Sequence, residues 1–155
     1  MGFYDWMLAL HILAAFSIAA ALVLFSVLVV SGRRMTTLDE TRLLFRLGTI
    51  GGPLIGVGMG LSILLGIVLA IDHDDFQLWD AWVIAGIVLW ALIGWAGDRS
   101  GRYYTAVQKV AESGDPNAES EVLARLRAPT GQRWHLATVA LFVLVVLDMI
   151  FKPGA

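Results

Sequence analysis

Four long apolar runs, at about residues 4–31, 47–71, 80–97 and 134–151, divide this chain, and the segments between them hold nearly all of its basic charge. Each run is apolar on every face of a helical projection, as a helix surrounded by hydrocarbon must be. Each approaches or exceeds the roughly 20 residues that cross a hydrocarbon core about 30 Å thick. A membrane β-strand would instead alternate polar and apolar positions over about ten residues. The pattern therefore predicts an all-α membrane protein, a single transmembrane domain over residues 1–155 built as a four-transmembrane-helix bundle. The first run is long for one crossing, so that helix is expected to tilt or to project beyond the lipid.

The segment at 98–133 is too polar to be embedded. Tyr103, Val107 and Val110 recur at helical spacing, which predicts that the third helix continues past the membrane as an amphipathic helix. The turn residues Ser113-Gly114-Asp115-Pro116-Asn117 end it. A short helix at about 118–127 then carries Val122, Leu123 and Leu126 on one side, and Pro129 and Gly131 lead into the fourth span. This amphipathic hairpin between helices 3 and 4 is expected to lie against lipid headgroups; the alternative is a docking surface for a partner.

Charge turns the pattern into an orientation. Of the 11 Lys and Arg residues, Arg33, Arg34, Arg42 and Arg46 lie between the first two runs, and Arg99, Arg102, Lys109, Arg125, Arg127 and Arg133 lie between the last two. Only Lys152 falls elsewhere. Basic residues are retained on the cytoplasmic side, so these two connections are expected inside, with the N-terminus, the link at 72–79 and the C-terminus outside. Asp5, Asp72, Asp74, Asp75, Asp80 and Asp148 then share the outer half. The first run is expected to be an anchor and not a cleavable signal, because Asp5 is the only charge before it and the arginines follow it. Trp6, Trp79 and Trp82 mark the outer interface, and Trp95 and Trp134 the inner one. The basic residues are accounted for by topology, and no basic stripe with interleaved aromatics predicts nucleic-acid binding. The chain has no cysteine, which excludes disulfides and thiolate chemistry.

The candidate chemistry is sparse. In the second run Gly48, Gly52, Gly56 and Gly60 follow at intervals of four, and Gly51, Gly58, Ser62 and Gly66 form an adjacent small-residue face. Small residues let helix backbones approach closely in lipid, so this helix is expected to pack centrally on two sides. Its glycines would make room for neighbouring helices, for a flat ligand or for the same helix of another subunit. Pro53 is expected to kink it near the inner end. His11 lies about two turns inside the first run, with Met7 one turn before it on the same face; an ionisable residue within a span is a functional candidate. It suits a carbonyl-bonded neutral imidazole, a haem ligand, a copper or zinc ligand, or a proton carrier. Asp148 lies in the same outer half, where an Asp–His pair would fix the imidazole tautomer. The candidate cofactor-binding set is thus His11, Met7 and Asp148. His11, His73 and Asp74 are the candidate metal ligands, although the loop holding the last two also reads as a solvated acidic turn. His135 reads as an interfacial residue at the inner end of the fourth run. Trp79, Trp82, Gly86 and Trp90 form a stripe on the third run, read as a packed aromatic face with a cofactor wall as the alternative. No phosphate-binding glycine loop, no nucleophile elbow and no His-Glu-x-x-His motif occurs, and the spans' cores hold no Lys or Arg.

The stretches Leu8-Ala9-Leu10-His11-Ile12-Leu13-Ala14-Ala15, Arg46-Leu47-Gly48 and Met149-Ile150-Phe151-Lys152-Pro153-Gly154 resemble an uncharacterised bacterial family of four-span integral membrane proteins, over nearly the whole chain. That resemblance implies a multi-pass protein of a bacterial inner membrane. More remotely, the Leu10-His11-Ile12 opening is similar to the CopD copper-resistance family and to the HemJ-type protoporphyrinogen oxidases. The HemJ likeness implies haem at His11; those enzymes also use an intramembrane lysine, which this chain lacks, so the same oxidase activity is not implied. The CopD likeness implies copper passage, for which Met7, His11 and Met149 are soft or borderline ligands. Three functions follow as expectations: a non-enzymatic subunit, accessory or small channel-like homo-oligomer packed on itself or a membrane-protein partner; a haem-binding redox protein using His11; and copper or other metal handling at the outer face.

Overall fold

The computed structural model describes residues 2–72 and 77–153. Among these are five helices: α1 (Phe3–Gly32), α2 (Leu38–Asp72), α3 (Ala81–Ala111), α4 (Ala118–Arg127) and α5 (Pro129–Phe151). All but α4 are long and apolar enough to cross a membrane. At about 1.5 Å per residue, α1, α2 and α3 run well beyond a hydrocarbon core of roughly 30 Å.

Two helix starts differ from the sequence expectation, and local capping explains both. The second helix begins at Leu38, so Arg42 and Arg46 ride on it instead of lying in a connection. Thr37 and Glu40 form a capping box there. The Thr37 hydroxyl accepts from the Glu40 N–H at 3.3 Å, and the Glu40 carboxylate accepts from the Thr36 and Thr37 N–H groups at 2.9 and 3.2 Å. These bonds satisfy donors that the helix start leaves without partners. The last helix begins at Pro129, at its first position, where a missing N–H costs nothing. Gly114, at φ +74°, takes the left-handed conformation that turns the chain between α3 and α4.

The bundle consists of two antiparallel hairpins, each closed by glycines. Along the first, Gly48 faces Leu28, Gly51 faces Phe25, Gly58 faces Ser17 and Ile18, and Gly66 faces His11. Each step up α2 meets a step down α1, a single register over the whole seam. Gly58 is the closest approach: a Cβ there would lie 2.8 Å from Ile18 Cγ1 and 3.1 Å from the Ala14 carbonyl oxygen. In the second hairpin Gly86 on α3 receives Asp148 and Met149 of α5, Gly97 faces Thr138, and Gly131 on α5 receives the rings of Tyr103 and Tyr104. The intramolecular seam of α2 thus uses Gly51, Gly58 and Gly66. Of the four-residue repeat, Gly48 makes an ordinary contact, whereas Gly52, Gly56 and Gly60 have nothing within 4 Å.

The hairpins meet most firmly at the end that carries α4. Val107, Ala111, Val122 and Leu126 form a buried cluster there, with Leu38, Phe45 and Tyr103 against it. The apolar face of α4 is therefore covered by the chain's own helices and does not lie open to headgroups as expected. The Tyr103 hydroxyl donates to the Arg125 carbonyl at 2.7 Å, and Arg42 Nε donates to the Ala111 carbonyl at 3.1 Å. These bonds tie the α3–α4 hairpin to α2.

Candidate functional site

Two cavities lie between the hairpins. One, of about 620 Å³, lies toward the end that bears both chain termini and is walled by α1, α2, α3 and α5. The other, of about 470 Å³, lies toward α4. Met59 on α2 and Ile93 on α3 line both, and so form the partition between them. Beside this partition Trp90 Nε1 donates to the Met59 carbonyl at 3.2 Å, a bond that ties α3 to α2. Volumes of 300–1,000 Å³, mostly apolar with a few polar groups, are characteristic of ligand sites.

His11 is one of several polar residues that line the larger cavity, with Tyr4, Ser62 and Lys152. Its Nδ1 lies 3.1 Å from the main-chain oxygen of Ser62 on α2. A carbonyl oxygen only accepts, so Nδ1 carries the proton and Nε2 of the neutral ring bears the lone pair. The ring is half-buried and lies against Gly66, where a Cβ would stand 3.3 Å from His11 Cε1. Gly66 thus clears space for the imidazole while the Ser62 carbonyl fixes its tautomer. A carbonyl in this position is the usual partner of a metal-ligating histidine. Met59, Met149, Trp82 and Trp90 supply thioether and aromatic surface on the facing walls.

The other members of the candidate set are placed differently. Met7 is half-buried on α1 but does not line the cavity. Asp148 is not the partner of His11, whose bond goes to α2. Its carboxyl is buried against Gly86, and Oδ2 has no hydrogen-bond partner among the described residues. Two neighbours of Asp148, Gly86 and Met149, do line the cavity, so the carboxyl stands behind the wall. His73 and Asp74 lie outside the described residues. Among the described residues no cluster of three His, Asp or Glu side chains could hold a metal ion.

Two aromatic and imidazole side chains proved to be interior. Trp82 is only 6% exposed, unlike Trp6 and Trp79 at 56% and 72%, and lines the wall of the larger cavity. His135 is 5% exposed. Its Nε2 lies 2.8 Å from the Ser26 hydroxyl, which itself donates to the Leu22 carbonyl at 2.8 Å. Ser26 has one proton, given to Leu22, so His135 Nε2 must donate and its Nδ1 is the acceptor. The signal for an inward His135 was present in the spacing of His135 and Thr138, which share one helix face and are both buried. Residues 11 and 26 stand roughly 22 Å apart along α1 at the helical rise. The two histidines therefore occupy opposite ends of the bundle, each with one nitrogen tied to an α-helix and the other available.

Comparison with protein-family models, curated proteins and solved structures finds no match to this chain.

Proposed function

We propose that this chain is a non-enzymatic, multi-pass component of a bacterial inner membrane that holds a haem in the larger cavity, with His11 as the protein ligand. It is inserted with α4 in the cytoplasm and both termini outside. The carrying observation is the available Nε2 of His11 beside an apolar cavity of about 620 Å³, with Nδ1 engaged by the Ser62 carbonyl. That arrangement matches the needs of an imidazole ligand: a fixed tautomer, a fixed ring plane and a bare nitrogen. The aromatic and thioether walls suit a flat apolar macrocycle, and Met59 and Met149 are the candidate second donors. Bound haem would supply a one-electron redox centre; the chain's own residues hold it, exclude water and set its polarity. The remote resemblance of the Leu10-His11-Ile12 segment to the HemJ-type family supports the same reading, whereas its likeness to the CopD family points to copper. Copper handling has less support, because Met7 lies off the cavity and no cluster of three His, Asp or Glu side chains forms among the described residues.

Titration of the purified protein with haem tests the proposal. A saturable Soret band in the wild type that His11→Ala loses or shifts is the expected result. No saturable band, or an identical spectrum in both proteins, would refute it.

A second reading concerns self-association. Gly52, Gly56 and Gly60 succeed one another at one-turn intervals on a face of α2 where an added Cβ would meet nothing within 4 Å, flanked by exposed Leu54, Val57 and Leu61, with Gly52 also at the lining of the smaller cavity. In lipid such a face supports helix–helix contact with another copy. Cross-linking in native membranes, with Gly56→Leu as the disruptive variant, tests it; only monomer in the wild type would end this reading.

A further inference from the structure

The smaller cavity has its own chemistry, independent of His11. Its lining changes along its length. Met59 and Ile93 close it near the middle of the bundle, whereas His135, Ser100 and Tyr104 gather toward α4. These three polar side chains differ in what they offer. His135 Nδ1 can only accept, because Nε2 already donates to Ser26. The Ser100 and Tyr104 hydroxyls have no hydrogen-bond partner among the described residues, and each can donate or accept. Ser100 is only 8% exposed and His135 5%. Neither hydroxyl is among the fully buried polar atoms without a partner, so both stay reachable from the cavity and open to a bound molecule. The one carboxylate on the rim, Asp98, is already paired with Arg102 at 2.8 Å. No unmatched charge therefore asks for an ionic ligand.

We propose that this cavity binds a neutral, membrane-soluble ring compound of the quinone and quinol class. The oxygen-bearing ring sits among His135, Ser100 and Tyr104, and the apolar tail points toward Met59 and Ile93. A quinone carbonyl accepts from the Ser100 or Tyr104 hydroxyl, and a quinol hydroxyl donates to His135 Nδ1, so the site suits both forms. A phospholipid fits less well, because its charged headgroup would need an unpaired basic side chain among these groups. The cavity of about 470 Å³ is within the range of small-molecule sites.

The test is equilibrium binding of a ubiquinone with a single isoprene unit, and of its quinol, to the full-length protein in detergent micelles. Ser100→Ala and Tyr104→Phe remove one hydroxyl each and keep the packing, including the Tyr104 ring against Gly131. Melting temperatures equal to that of the wild type check the fold. One saturable site is expected, weakened about three- to tenfold by each variant, as for a single neutral hydrogen bond, and unchanged in His11→Ala. Three results would overturn the proposal: no saturable binding, which marks the cavity as merely hydrated; equal affinity in all variants; or loss in His11→Ala alone, which places the quinone in the other cavity.

Discussion

Gly58 and Gly56 stand two residues apart on α2 and should respond to the same substitution with opposite sign. A Cβ at Gly58 would clash with Ser17 Oγ and lie 2.8 Å from Ile18 Cγ1 and 3.1 Å from the Ala14 carbonyl oxygen. Ser17 can rotate away, at the loss of its 2.8 Å bond to Ala14. The Ala14 carbonyl is backbone and cannot. Comfortable carbon contacts begin at about 3.5 Å, so α1 and α2 must part by roughly half an ångström or more along their closest seam. Overpacking of this kind costs about 1–3 kcal/mol, against which the better helix propensity of alanine returns about 0.5–1 kcal/mol. Gly58→Ala should therefore destabilise the fold by roughly 1 kcal/mol, the difference between the middles of those two ranges. Gly56→Ala meets nothing within 4 Å and should be neutral or stabilise by up to about 1 kcal/mol. The assay is reversible unfolding in mixed micelles at a protein-to-micelle ratio that keeps the chain monomeric, so that self-association does not enter. A Gly58→Ala protein as stable as the wild type, or a Gly56→Ala protein weakened as much as Gly58→Ala, would refute the assigned seam.

Three further outcomes follow. Thr37→Ala removes the side-chain acceptor of the α2 capping box and should cost about 1 kcal/mol, read by the same unfolding assay; no change would deny the cap. Ser26→Ala leaves the His135 Nε2–H without its acceptor in a buried place, a loss of about 1–3 kcal/mol; an unaffected melting temperature would argue against the assigned tautomer. The chain has no cysteine, so a single one introduced at Gln77 should label from outside intact cells, and one at Asn117 only after permeabilisation. The reverse pattern would invert the proposed orientation.

The spans were legible because a helix in lipid must be apolar all round, and the extent of α4 was legible from its turn residues and apolar spacing. The start of α2 was missed because Thr37 and Glu40 signal a cap through side-chain bonds and not through hydropathy. Both glycine faces of α2 could be read from the sequence. Which one met α1 depended on the closest approach at Gly58, and periodicity carries no information about a neighbour's azimuth. The same limit separated His11 from Asp148: depth along the bilayer normal is readable from residue number, but rotation about each helix axis is not. His135 looked interfacial because Arg133 and Trp134 precede it, yet one helix position turns it inward to Ser26. The partition by Met59 and Ile93 arises only where α2 comes beside α3, a property of packing between distant segments.

The proposed contact of the chain to a haem in the larger cavity is the Nε2 of His11. Haem loading of His11→Gly in the presence and absence of imidazole tests it most directly. The ligated Soret spectrum of the wild type should be lost in His11→Gly and restored by imidazole, which fills the vacated space beside Gly66 and supplies the missing nitrogen. A His11→Gly protein that keeps the wild-type spectrum without imidazole would contradict it.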